Sequence, residues 1–173
     1  SYFDISSAEI RTLAFRSGDQ NLIDLFKKGI DVYIYVAKQH LGEDTWEALG
    51  KSEKKKWRKR MKVVFLAIAY RMSSRTLGEQ LNIPENQAQA LIDTLFAQFP
   101  DLRTFIEYNA AYPEKHEGFI NQELGDTLRC STWRFVNYRD SSGRMRVDKG
   151  KLSKVSRAGI NYKIQSFSAL ALA

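Results

Sequence analysis

The chain has 173 residues, 43% of them hydrophobic, which is enough for one ordinary domain with a core. Its single cysteine, Cys130, excludes an internal disulfide and a cysteine-based zinc site, so a reducing compartment is the simplest expectation. The sequence contains no apolar run of about 18 residues, so no membrane span is predicted. The net charge of +7 favours a polyphosphate or a nucleic acid as partner.

Helical periodicity dominates the first two thirds of the chain. After a short buried strand over residues 2–5, a helix is expected from Ser6 or Ser7 to residue 17, and a second one, capped by Asp19 or Asn21, to residue 26. Residues 43–50 are expected to form a short turn or helix. Further helices are expected over residues 31–41, from residue 52 or 56 to 70, and over residues 75–81, 85–98 and 102–112. Pro100 should stop the helix before it, and Asp101 should cap the next one. Asp4 then lies at a strand-to-helix junction, where open α/β folds expose chemistry, although an Asp at such a place is often only a cap.

The pattern changes after Gly118. Strands are expected over residues 119–124, 128–138 and 145–147, the last two joined by a turn from Asp140 to Gly143. Helix returns from Lys149 to about residue 157, and an apolar helix follows over residues 161–173. The predicted fold class is therefore mainly α with a small β portion (α+β), with a β-hairpin insert.

One helical face stands out over residues 58–70. Arg58, Lys62, Leu66 and Tyr70 recur at steps of four, which places them in one slowly drifting stripe on a helix. Two cations followed by an apolar and an aromatic side chain suit the phosphates and the base of a nucleoside triphosphate. The alternative is an amphipathic core helix with a solvated basic end.

Basic residues concentrate just before and within that stripe. Residues 51–62 contain eight basic side chains and one acidic side chain, so this segment alone equals the whole net excess. Such a concentration suits a polyphosphate or a nucleic-acid backbone, and a solvated basic turn is the competing interpretation.

Three separated motifs occur in a fixed order. They are DISSAEIR at residues 4–11, the stripe at residues 58–70, and Arg157-x3-Asn161-x3-Gln165. In order and spacing they resemble motif A, motif B (the fingers O helix) and the following segment of family A DNA polymerases, in a phage or bacterial version of the DNA polymerase I type. The resemblance covers nearly the whole chain and is lost over about residues 131–154.

The resemblance implies a domain organisation. It is the fingers subdomain of a right-hand polymerase with flanking pieces of palm. Residues 1–17 would be a palm strand and helix start, 18–130 the helical fingers, 131–154 the hairpin insert, and 155–173 a helix returning to the palm.

The resemblance also implies a metal and sugar site in motif A. Asp4 would be a catalytic carboxylate that binds magnesium, with the carbonyl of Ile5 as a second ligand, and the complete active site would hold two Mg²⁺ ions. Ser6 would contact the nucleotide. Glu9 would block a ribose 2′-hydroxyl, whereas without the resemblance it would be interpreted as an ordinary glutamate of a first helical turn.

The other two motifs would contact nucleotide and DNA. Arg58 and Lys62 would grip the triphosphate as catalytic cations, and Leu66 and Tyr70 would complete the nucleotide site, with Tyr70 stacking near the templating base. The DNA-binding set would be Tyr70, Arg157, Asn161 and Gln165, the last two through minor-groove hydrogen bonds. Taken alone, Asn161 and Gln165 could equally be ordinary polar positions.

The sequence departs from the family pattern at several positions. Leu66 stands where Phe or Tyr is usual, Arg71 where a glycine is usual, Ser7 where Gln is usual, and Tyr33 where His is common. The sequence also ends before the family's His-Asp-Glu motif, which brings the second metal-binding Asp. The 173 residues alone are therefore expected to be inactive.

The resulting hypothesis is part of a DNA-directed DNA polymerase that selects deoxynucleoside triphosphates and binds primer-template DNA in replication or repair. Its expected partners are those two ligands and the remaining palm and thumb segments, with no membrane. A bacterial or phage-infected cytoplasm is the expected location. The alternative is a non-catalytic DNA-binding module derived from a polymerase, using residues 51–62 on phosphates.

Overall fold

The computed structural model describes the backbone of residues 5–121 and 127–170, and the side chains of residues 9–120 and 130–162. The chain divides into two compact units, Ser1–Thr104 and Phe105–Ala173. The first unit is helical, with α1 (Ile5–Ser17), α2 (Gln20–Lys27), α3 (Val32–Leu41), α4 (Glu43–Ala48), α5 (Lys51–Ala69), α6 (Ser74–Leu81), α7 (Glu85–Gln98) and the start of α8 (Pro100–Lys115). None of the helices described combines the length and apolar character needed to cross a membrane.

The core of the first unit forms around α5, which packs against both α3 and α7. The ring centroid of Phe65 lies 5.6 Å from that of Tyr33 and 6.1 Å from that of Phe99. Phe65, Phe99 and Met61 are at most 1% exposed. Met61 and Phe65 are the α5 residues of this cluster, and Arg58, Lys62 and Leu66 lie beside them on the helix, where they are half-buried.

A buried carboxylate joins two helix starts in this unit. Asp19 is 1% exposed, and its Oδ1 accepts from the backbone N–H of Leu22 at 3.1 Å, which caps α2. Its Oδ2 accepts from the N–H groups of Asp101 and Leu102 at 3.0 and 3.1 Å. The prediction that Asp101 caps the last helix of this region is wrong, because Asp101 lies inside α8 and Asp19 supplies the acceptor.

Two helices, α1 and α8, have boundaries that differ clearly from those predicted. α1 is helical from Ile5, whereas a start at Ser6 or Ser7 was expected. The strand predicted over residues 2–5 falls mainly outside the described residues. α8 begins at Pro100, because a proline is tolerated in the first turn of a helix. It extends to Lys115 with Pro113 inside it, so the predicted end near residue 112 was too early.

The second unit contains two separate antiparallel ribbons. β1 (Phe119–Asn121) pairs with β2 (Thr127–Arg129), and β3 (Asn137–Arg139) pairs with β4 (Met145–Val147). The strand predicted over residues 128–138 is wrong, because the 3-10 helix Ser131–Phe135 separates β2 from β3. The turn predicted from Asp140 to Gly143 is confirmed.

Close packing explains that interruption. Gly118 has φ +83°, and a Cβ placed on it would come within 2.4 Å of the Trp133 side chain. The backbone N–H of Cys130 donates to the carbonyl of Gly118 at 2.8 Å. A continued strand would carry Trp133 away from this glycine, so the chain turns at Ser131.

The last helix, α9 (Lys149–Leu170), is continuous, whereas two helical pieces were predicted. It approaches α8 closely at Gly159, where a Cβ would lie 2.5 Å from the carbonyl oxygen of Asn109 and 2.9 Å from Cγ of Pro113. Val155 and Ile160 are fully buried beside it. Glycine is therefore needed at residue 159 for the two helices to pack at this distance.

Candidate functional site

The stripe predicted on one helical face is present on α5. Arg58, Lys62 and Leu66 are half-buried along this helix, and Tyr70 is half-buried at its C-cap. Their spacing of four residues places them in one row about 18 Å long, at 1.5 Å of rise per residue. A row that is neither fully exposed nor fully buried can bind a ligand and still be held in position by the protein.

Arg58 is held in place by two residues of the α3 start. Its Nε donates to Oδ2 of Asp31 at 2.6 Å, and its Cζ lies 5.2 Å from the centre of the Tyr33 ring. Asp31 also caps α3, since its Oδ1 accepts from the N–H groups of Tyr33 and Ile34. The ion pair with Asp31 uses one of the five N–H donors of the Arg58 guanidinium, the one on Nε. At 43% exposure of the Arg58 side chain, the ion pair orients the cation more than it stabilises the fold.

Asp31 and Tyr33 were missed as site residues by sequence reasoning. Asp31 was recognised only as a helix start, and Tyr33 only as a departure from the family pattern. Asp31 and Arg58 are 27 positions apart, and the sequence between them carries no local signal that the two side chains meet. The available sequence hint was a capping acid placed two residues before an aromatic residue, which is common at helix starts.

The far end of the stripe is bonded to α1. The hydroxyl of Tyr70 donates to Oε1 of Glu9 at 2.8 Å. Burial, then the hydrogen bond to Glu9 and its negative charge, raise the pKa of Tyr70, so the phenol stays protonated at neutral pH. The structure thus brings together two residues from separate predicted motifs, 61 positions apart.

Arg71, which follows Tyr70, adopts a left-handed backbone conformation with φ 51° and is exposed. This conformation is costly for a residue with a Cβ and is free of that cost for glycine. The geometry gives a physical reason for the glycine expected there. The backbone keeps this left-handed conformation although residue 71 is an arginine and not a glycine.

Several predicted site residues lie outside the part that can be described. Asp4 is one of them, and the side chains of Ser6 and Gln165 are also outside. Ile5 is the first helical residue of α1, and its carbonyl remains the predicted metal ligand. Among the side chains described, those of residues 9–120 and 130–162, no cluster of three or more His, Cys, Asp or Glu could hold a metal ion. The magnesium site therefore stays a prediction.

The predicted DNA-contacting residues of the third motif lie on α9. Arg157 is exposed, and Asn161 is half-buried. The side-chain oxygen Oδ1 of Asn161 is buried and has no hydrogen-bond partner among the described residues. A buried amide oxygen without a partner carries a desolvation cost, so Asn161 Oδ1 is an unsatisfied acceptor among the described residues.

The basic segment before the stripe is only partly neutralised. Lys54 pairs with Glu47 at 3.0 Å and Lys56 with Glu53 at 3.3 Å. The remaining lysines of this segment lie on the exposed side of α5 and are Lys51, Lys55 and Lys59. Their positive charge attracts an anion by long-range electrostatics, and salt screens that attraction.

Comparison with known proteins gives a consistent family. The family model for DNA polymerase family A matches residues 1–172. DNA polymerase I of Mycobacterium tuberculosis is 30% identical over 166 residues, which cover 96% of this chain and 16% of that protein. DNA polymerase I of Chloroflexus aurantiacus is 34% identical over 122 residues, covering 70% of this chain and 12% of that protein.

A solved structure has a similar fold. The POL domain of Pol1 from M. smegmatis, in complex with DNA primer-template and dNTP, matches with a TM-score of 0.67. The match covers 91% of this chain and 25% of that chain, at 24% sequence identity. The chain therefore spans a minor part of the relatives that it matches.

Proposed function

Because the chain belongs to DNA polymerase family A, we propose that it is the nucleotide-selecting part of a DNA-directed DNA polymerase. The complete enzyme would extend a primer on a DNA template in replication or repair. The proposed location is the cytoplasm of a bacterium or of a phage-infected cell. The division into palm and fingers pieces given above belongs to the same proposal.

One observation carries this proposal. The row on α5 presents two cations, Arg58 and Lys62, then Leu66 and Tyr70, and Glu9 is hydrogen-bonded at its aromatic end. A nucleotide has the same order of chemistry, with phosphates at one end and sugar and base at the other. A row about three helical turns long can contact all of these parts at once.

Each side chain has a defined part in nucleotide addition. Arg58 and Lys62 bind the triphosphate and neutralise the charge that develops as pyrophosphate leaves. Glu9 occupies the space that a ribose 2′-hydroxyl would need. Leu66 packs against the sugar and base, and Tyr70 closes the site on the template side. The bond to Glu9 positions Tyr70 before a nucleotide arrives.

Divalent metal ions supply the Lewis-acid chemistry of family A polymerases. We propose Mg²⁺ as the ion, with Asp4 and the carbonyl of Ile5 as ligands, because hard cations prefer oxygen ligands. The remaining palm and thumb segments would complete that site.

Primer-template DNA would be contacted from α9. Arg157 is exposed for a phosphate, and Asn161, which is half-buried on the same helix, would donate to the DNA from its side-chain N–H groups. Gln165 follows one turn later on the same helix. Amide groups suit the minor groove, where every base pair presents an acceptor and a contact tolerates any sequence.

A matched pair of lysine substitutions tests the proposal. Lys62→Ala in the complete enzyme should lower kcat/KM for the nucleotide. The expected loss corresponds to about 2–4 kcal/mol of transition-state stabilisation, and DNA affinity should stay nearly unchanged. Lys59→Ala, at an exposed position three residues earlier on the same helix, removes an equal charge and should change nucleotide use little. Equal losses of DNA affinity and nucleotide use in Lys62→Ala would assign this lysine to the DNA.

A second candidate function is a non-catalytic DNA-binding module. It is favoured by the exposed lysines at residues 51, 55 and 59 of α5, which could contact phosphates without any nucleotide. Salt dependence does not separate the two functions, because both use positive charge. Preference for the nucleotide that matches the template separates them, because a plain DNA binder has no reason to show it.

A further inference from the structure

The ribbon of β3 and β4 is exposed along its whole length. All six strand residues are exposed, including Tyr138 at 47%, Met145 at 58% and Val147 at 52%. A two-stranded ribbon is marginally stable in water when nothing covers either face. Apolar side chains on such a ribbon indicate a surface that is covered by a partner.

The base of the ribbon is fixed to the second unit. The backbone N–H of Asp148 donates to the carbonyl of Val136 at 2.7 Å, and Val136 is 2% exposed. Asp148 Oδ1 accepts from the N–H of Lys151 at 3.0 Å, which caps the start of α9. The ribbon is therefore anchored at its base between the 3-10 helix and α9.

The tip of the ribbon is ordered by one carboxylate. Asp140 accepts from Oγ of Ser142 at 2.6 Å, from the N–H of Arg144 at 3.0 Å and from Nε of Arg146 at 2.9 Å. The Ser142 bond, then those from Arg146 and Arg144, lower the pKa of Asp140 to about 2, so it is ionised at neutral pH. Nη1 of Arg139 donates to the carbonyl of Gly143 at 3.0 Å. These contacts prearrange the turn.

The register distributes cations over both faces. Tyr138 lies opposite Arg146, and Arg139 lies opposite Met145. Since neighbouring strand residues point to opposite faces, Arg146 is on one face and Arg139 on the other. Residues 131–154 contain seven basic and two acidic side chains, so the ribbon also rises from a basic surface. Cations therefore lie on both faces, and the one on the Tyr138 face, Arg146, is paired through Nε with Asp140 at 2.9 Å.

We propose that residues 137–147 form an additional nucleic-acid contact that enters a groove of duplex DNA. A flat acidic partner would cover one face of the ribbon, whereas a groove has phosphates along both walls. The major groove of B-DNA is wide enough for a two-stranded β-ribbon. The identity of the polyanion rests on the proposed function. Residues 137–147 lie outside the three motifs at residues 4–11, 58–70 and 157–165, so the contact is additional to the nucleotide and primer-template sites proposed above.

Duplex binding by the 173-residue chain tests the ribbon. Arg139→Gln combined with Arg144→Gln should weaken binding to a duplex by about 30-fold at ~0.15 M salt, if each arginine contacts one phosphate. The slope of log affinity against log salt should fall by about 1.8. Single-stranded DNA of the same sequence should lose markedly less affinity.

Two control variants separate lost phosphate contacts from a damaged ribbon or a general loss of charge. Arg139→Lys with Arg144→Lys keeps both charges and should retain duplex affinity within about threefold. Lys27→Gln with Lys28→Gln removes two charges from an exposed part of the first unit and should have little effect on the slope.

Three results would overturn the ribbon proposal. They are an unchanged salt slope in the glutamine pair, an equal loss in the Lys27 and Lys28 pair, and a loss confined to single-stranded DNA. An unchanged slope would leave an acidic protein surface as the ribbon's partner. If the unsubstituted chain binds duplex DNA, any of these three results overturns the ribbon contact and leaves the proposed polymerase function intact. If the unsubstituted chain does not bind DNA at all, the result counts against both the ribbon contact and the polymerase function.

Discussion

Asp19→Ala should be the most destabilising single polar substitution in the first unit. The Asp19 carboxylate is 1% exposed and accepts three backbone N–H donors, from Leu22, Asp101 and Leu102. A capping bond of this kind contributes about 1 kcal/mol, so three lost bonds predict a loss near 3 kcal/mol. The loss should be somewhat larger where the freed N–H groups stay buried, because an unsatisfied buried donor carries its own cost.

Two further variants separate the caps. Asp19→Asn can keep one acceptor oxygen and should lose about 2 kcal/mol, because its amide N–H groups cannot accept. Ser73→Ala removes one exposed cap, that of α6, and should lose about 1 kcal/mol. Urea unfolding followed by circular dichroism measures all three. A loss in Asp19→Ala no larger than that in Ser73→Ala would refute the role given to this carboxylate in joining α2 to α8.

The remaining predictions concern the site and its support. In the complete enzyme, Glu9→Ala should lower discrimination against ribonucleotides by about 10- to 100-fold, measured as a ratio of kcat/KM values, and an unchanged ratio would remove the steric role. Arg71→Gly should raise the free energy of unfolding by about 0.5–1 kcal/mol, because the relief of left-handed strain exceeds the entropy cost of glycine, and a lower urea midpoint would contradict this. Burial, then the charge of Arg60, lowers the pKa of His40 below its ordinary value of 6.5, so the unfolded chain binds this proton first as the pH falls. Stability attributable to His40 should therefore be complete above about pH 6.5 and be lost below it, and His40→Gln should flatten the fall in urea midpoint between about pH 7 and pH 5; an unchanged slope would show that another group causes it.

Helices with strong local boundary signals were predictable from the sequence. The bounds of α7, Glu85–Gln98, were predicted without error because Pro84 precedes the first turn and Pro100 follows the last. The stripe on α5 followed from a spacing of four residues alone. The fold class, mainly α with a small β portion, is confirmed by the fold match.

Long-range contacts were not predictable, because no local pattern encodes them. Asp19 or Asn21 was expected to cap α2, and nothing near Asp19 indicates that its second oxygen serves a helix 82 residues later. The strand expected over residues 128–138 was an alternating pattern, and packing of Trp133 on Gly118 overrode it. Tertiary packing determined the local structure in both cases.

The candidate site divides in the same way. Sequence resemblance placed Glu9 and Tyr70 in one nucleotide site, and the structure adds the hydrogen bond between them. The contact of Arg58 with Asp31 depends on how α3 packs against α5, which periodicity does not specify. The roles of all these side chains in nucleotide binding remain proposals.

Nucleotide selection by a stalled primer-template complex tests the central claim most directly. The complete enzyme would be bound to a primer that ends in a dideoxynucleotide, so that no addition occurs, and each of the four deoxynucleoside triphosphates would be titrated. The nucleotide that matches the template base should stabilise the complex at least about tenfold more than the other three, and Lys62→Ala should weaken binding of that nucleotide while leaving DNA affinity nearly unchanged. Equal stabilisation by all four nucleotides, with Lys62→Ala weakening DNA binding instead, would contradict a nucleotide-selecting role and favour a plain DNA-binding module.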